Sequence, residues 1–77
     1  MNHWPEVEKT LEELVDYQRQ RLFVLGRQFV PNLTPDDLLQ PNDFPELEAN
    51  PIFRYEEGVL AGVQAAQIAL RRIQSES

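Results

Sequence analysis

The chain contains no cysteine, which excludes disulfides, thiolate metal sites and a cysteine nucleophile. It has one histidine, His3, and a single histidine without cysteine does not make a zinc site. The serines Ser75 and Ser77 fall in a tail expected to fray, and Thr10 and Thr34 have no histidine base in the pattern, so nucleophilic catalysis lacks its parts. Basic residues are also scarce: seven, spread without a dense cluster, against thirteen acids, for a net charge of −6. That balance repels polyphosphate and argues against nucleic-acid binding.

Long apolar runs are missing too. The longest uncharged stretch, GVLAGVQAAQIAL at residues 58–70, is thirteen residues long, includes Gln64 and Gln67, and lies between Glu57 and Arg71. A membrane-spanning helix needs about 20 apolar residues, and an in-plane amphipathic helix needs a Lys/Arg-rich polar face that this one lacks. The opening MNHWPEVEKTLEEL is acidic and helix-like where a signal peptide is basic and then apolar. We therefore expect no targeting segment, no membrane partner and a cytoplasmic location.

Six prolines, three glycines and no alternating β-branched run argue against a sheet. The fold class expected is all-α, as a single domain over residues 1–77. Pro5 with Glu6 and Glu8 marks a helix start, because proline has no N–H to leave unpaired and acids suit the positive dipole end. This helix runs to about Phe29, before Pro31. Trp4, Val7, Leu11, Leu14, Val15, Leu22, Leu25 and Phe29 share one stripe, with Glu12, Glu13 and Asp16 opposite. Gln18 sits within that stripe and is expected to reach water or bond locally, the alternative being a buried group that fixes register.

Asn50-Pro51 repeats the start signal, and a second long helix is expected over about 51–74, leaving a tail at 75–77. The 30–50 connector is proline-rich. Thr34-Pro35-Asp36-Asp37 reads as a capped short helix, and Pro45–Ala49 as a second turn. Leu33, Leu38, Leu39, Phe44 and Leu47 are too many apolar side chains for a solvated linker, so the connector should fold over one end of an antiparallel hairpin. Arg71 and Arg72 would then face the acids of residues 6–16, and Arg27 would approach Glu56 and Glu57.

The second long helix has two apolar surfaces. Ile52, Val59, Val63 and Leu70, with Tyr55, Ala66 and Ile73, form the large one, whereas Phe53, Leu60 and Ile68 fall elsewhere. Gln64 and Gln67 lie off it and should be solvated. The small one, Gly58, Ala61, Gly62, Ala65 and Ala69, is turned roughly 90° away. Two interior glycines weaken a helix unless close packing offsets them. These five residues are therefore the expected interface, and the hairpin is expected to pair with a second copy as a dimeric four-helix bundle. A monomer covered by its own connector is the plainer alternative, and a monomer whose small-residue groove binds a partner helix or apolar ligand is a third.

The connector acids Asp36, Asp37, Asp43, Glu46 and Glu48 cap short helices or offer a surface to a basic protein partner, and they lack the pattern of a calcium loop. Glu13 and Asp16 with Glu56 and Glu57 are the nearest approach to the magnesium ligands of a phosphohydrolase, yet Glu13 and Asp16 point away from the expected core. No catalytic residue, metal site or cofactor is assigned, and the function expected is that of a non-enzymatic interaction module: adaptor, regulator, chaperone or small subunit.

Overall fold

The structure is a computed structural model that describes residues 3–76. It is all-helical, with no strand among the described residues. Helix α1 spans Trp4–Phe29, short 3-10 helices follow at Pro35–Leu39 and Pro41–Asp43, α2 is a single turn at Pro45–Glu48, and α3 spans Pro51–Glu76. The two long helices run antiparallel: Arg71 near the end of α3 meets Glu8 near the start of α1 at 3.0 Å, and Glu56 near the start of α3 meets Arg21 at 3.3 Å. Helix α3 continues through Ser75 and Glu76, so two residues of the expected tail are helical, and Ser77 lies outside the described residues.

Local chemistry accounts for these boundaries. Asn50 Oδ1 accepts from the N–H groups of Ile52 and Phe53 at 2.9 and 3.0 Å, the N-cap bonds expected before Pro51. Thr34 and Asp37 form a reciprocal capping box. The element they start is a 3-10 helix, closed by the Gln40 N–H on Asp37 O just before Pro41. The Pro41–Asp43 turn was not expected from the sequence. Helix α1 begins one residue earlier than Pro5, with Val7 N–H bonded to His3 O.

The connector does fold over one end of the hairpin. Leu33 and Leu47 from the connector join Leu22 of α1 and Phe53 of α3 in one buried cluster, with Leu38, Phe44 and Leu60 packed against it. Leu39 departs from this pattern: it is 80% exposed. The connector approaches α1 closely at Gly26. A Cβ there would lie 2.6 Å from Leu33 Cδ2 and 3.4 Å from Phe53 Cε2, so a larger residue would force the buried Leu33 side chain to shift.

The inner faces are rotated from those expected. On α1 the buried line is Val15, Gln18, Leu22 and Gly26, while Leu14, Val7 and Phe29 are exposed at its edges. On α3 the rotation is larger: Phe53 is fully buried and Leu60 packs on the core, whereas of the expected stripe Val59, Val63 and Leu70 are partly buried and Ile52, Tyr55, Ala66 and Ile73 face solvent. The inner face of α3 also includes Glu56, Gln64 and Gln67, all partly buried, so the two glutamines are not simply solvated. Polar stems line this seam, and a stripe drawn through the largest apolar residues therefore lies to one side of it, with Val59, Val63 and Leu70 at its edge.

Candidate functional site: the outer face of the last helix

Phe53 and Gly62 are nine positions apart, roughly 180° around a helix at 100° per residue. With Phe53 in the core, the small-residue surface falls almost opposite the inner face, rather than a quarter-turn from it. Gly58, Ala61, Gly62, Ala65 and Ala69 are all exposed. Nothing lies within 4 Å of a Cβ built on Gly58 or Gly62. The connector packs on the other side of α3, so it leaves this face open.

Larger apolar groups flank the small ones. Tyr55 is 70% exposed, and Ile52, Ile68 and Ile73 are exposed as well. Tyr55, Gly58, Gly62, Ala65 and Ala69 recur at spacings of three, four, three and four, the period of a seam that packs along a second helix. Among the described residues no helix is long and apolar enough to cross a membrane.

Behind this face, a polar network ties α3 to α1. Gln18, 6% exposed, donates from Nε2 to both the backbone oxygen and Oε2 of Glu56. The Arg21 guanidinium donates to the two carboxylate oxygens of Glu56 at 3.3 Å each. The carboxylate is thereby held below its ordinary pKa, first by the Gln18 hydrogen bond and then by Arg21, and Glu56 in turn raises Arg21. Gln18 is thus an interhelical group, against the expectation of a local or solvent-bonded side chain.

The other charge expectations divide. Arg71 meets the acids of the first helix, bonding Glu8 and lying 3.7 Å from Glu12. Arg27 does not reach Glu56 or Glu57. It donates to Pro31 O at 3.0 and 3.1 Å and stacks over Phe23, while Glu57 pairs within α3 with Arg54. Glu56 and Glu57 are therefore committed to cations, and Glu13 and Asp16 are exposed on α1. Among the described residues no group of three or more acids or histidines is placed to hold a metal. In the connector, Asp37 is used in its capping box, and Asp36, Asp43, Glu46 and Glu48 are exposed in first turns of the short helices.

Sequence reading missed Gly26 and the Gln18–Glu56–Arg21 network. Gln18 lying within an apolar stripe was the one available signal for the network. The partner could not be read, because it is 38 positions away. Comparison with known proteins finds no family model, no curated protein and no solved structure that matches this chain.

Proposed function

We propose that this chain is a non-enzymatic protein-interaction module that works as a homodimer, two hairpins packing the outer faces of α3 into a four-helix bundle. It would serve as an adaptor, regulator, chaperone or small subunit. The observation that carries the reading is the open space at Gly58 and Gly62. Glycine inside a helix is disfavoured by up to about 1 kcal/mol relative to alanine, and within one chain no contact offsets it here. A second backbone approaching at the short end of the helix-packing range, about 8 Å, would.

The face is also nearly self-complementary, as a twofold interface requires. An antiparallel copy related by an axis at Gly62 sets Tyr55 against the second copy's Ala69 and Gly58 beside its Ala65 and Ala66. Large residues meet small ones. The exposed Ile73 and Ile52 extend the apolar area toward the two ends.

Light scattering after size exclusion, over a wide concentration range, tests the proposal. The expected mass is about 18 kDa, twice the 9.0 kDa of the chain. Ala65→Glu should shift it to 9.0 kDa with helical content unchanged. Replacing Gly58 and Gly62 by alanine should weaken association. A single 9.0 kDa species at all concentrations, stabilised by the same glycine replacements, would overturn the dimer.

A further inference from the structure

On the other side of α3 from Gly62, the first 3-10 helix and the two long helices enclose a groove of about 480 Å³, within the range of small-molecule sites. Its apolar lining includes Leu22, Phe23, Leu38 and Leu60. Leu22 is buried and the other three are partly buried against the core, so these walls are preformed. Leu39 also lines the groove while remaining 80% exposed, a large apolar side chain that an occupant would cover.

The polar lining is Arg19, Gln20 and Gln64. Arg19 and Gln20 precede the apolar pair on α1, and Gln64 follows Leu60 on the antiparallel α3, so all three share the end away from the connector. In a chain with thirteen acids, no carboxylate lines this groove and its one charge is positive. Arg19 has no ion-pair partner among the described residues. Asp16 and Glu12, on preceding turns of α1, share with Arg19 an adjoining depression of about 250 Å³ and do not line this groove.

We propose that this groove binds an aliphatic monocarboxylate, its chain along Leu22, Phe23, Leu38 and Leu60, and its head on the Arg19 guanidinium with Gln20 and Gln64 as hydrogen-bond donors. A guanidinium offers two parallel N–H donors to one carboxylate, and carboxamides add neutral donors without a second charge, which fits a monoanion better than a phosphate. The site lies away from the outer face of α3, so it is independent of homodimerisation.

The test is titration of the isotope-labelled full chain with sodium decanoate below its micelle concentration, followed by backbone amide shifts. Decyltrimethylammonium of equal chain length is the control. Saturable shifts should centre on residues 19–23, 35–39 and 60–64, with the cationic amphiphile binding more weakly by about tenfold. Arg19→Gln, at an exposed position that leaves folding intact, should weaken decanoate about fivefold and leave the cationic control unchanged or tighter. Leu60→Gln should weaken both. Equal binding of the two amphiphiles, no effect of Arg19→Gln, or shifts confined to residues 58–69 with none at 19–23 and 35–39 would each overturn the proposal. So would saturation only by an acidic amphipathic peptide, which would make the groove a protein-docking surface.

Discussion

Glu56 is the most constrained side chain of the hairpin seam, because a buried amide and a guanidinium both point at its carboxylate. Its pKa in the folded chain lies below the ordinary value of 4.5, so the stabilisation it provides is complete at neutral pH. It is lost as pH falls below that value and through the folded one. Thermal melts at pH 7 and pH 3 should therefore show a larger acid loss for the native chain than for Glu56→Gln, which holds no ionisable proton at this site. Gln18→Leu should narrow the same difference, since it removes the largest cause of the shift. Gly26 poses a packing question instead. Alanine there gains about 1 kcal/mol of helix propensity but drives a methyl into Leu33, itself buried, and overpacking of this kind costs about 1–3 kcal/mol. Gly26→Ala should be destabilising by about 1 kcal/mol in chemical denaturation, and Gly26→Val by considerably more. Gly62→Ala should show the reverse sign whenever the chain is held monomeric.

Among the elements, the short connector helices are too short to persist by propensity. Thr34 caps the first, whereas the Pro41–Asp43 and Pro45–Glu48 turns have no side-chain cap and rest on backbone hydrogen bonds and on the neighbouring core residues Phe44 and Leu47. Asn50→Ala removes the one oxygen that accepts from two N–H groups at the start of α3 and should destabilise by about 1 kcal/mol, whereas Asn50→Asp or Asn50→Ser should be nearly neutral. Thr34→Ala opens the capping box. Because Leu38 on that element packs against the core, its loss should be felt as reduced hydrogen-exchange protection around Leu33 as well as locally. For α3 as an element, one helix presents two faces of different character. The inner face carries Phe53, Leu60 and glutamine stems, and the outer one carries glycine and alanine.

At the scale of the whole molecule, the core is displaced to the connector end. Leu22, Leu33, Leu47 and Phe53 make up its buried cluster, and the far half of the hairpin is two helices joined by Val15, partly buried Leu11 and Leu70, and the Arg71 pairs. A chain of this size rarely draws more than about 3–5 kcal/mol from its core. Phe53→Ala, expected to cost about 3–5 kcal/mol, should therefore abolish cooperative unfolding in a monomer. If copies pair through α3, the melting temperature should rise with protein concentration, and Phe53→Ala should be partly rescued at high concentration. Hydrogen exchange should be slowest near Phe53 and Leu22 and fastest at the open end of the hairpin, where α1 begins and α3 ends.

The sequence alone determined that the chain is helical, where the two long helices lie to within a residue or two, and that a capped short helix begins after Thr34; the Pro41–Asp43 turn was outside its reach. Those features rest on local rules: proline placement at 31, 41 and 51, the Asn50 and Thr34 caps, and apolar side chains in the connector that cannot stay in water. Tertiary structure decided the rotation of each helix about its own axis. Ile52 and Ile73 are as apolar as Phe53, and which of them faces inward depends on where Leu33 and Leu47 arrive from the connector. It also decided that Gln18 is buried, since a glutamine in an apolar stripe is stable only when a partner from another helix meets it. Gly26 follows the same logic, being one more helical glycine in sequence and the point of closest approach in space. The small-residue stripe could be read directly, but its exposure could not, because exposure depends on how far the connector reaches around α3.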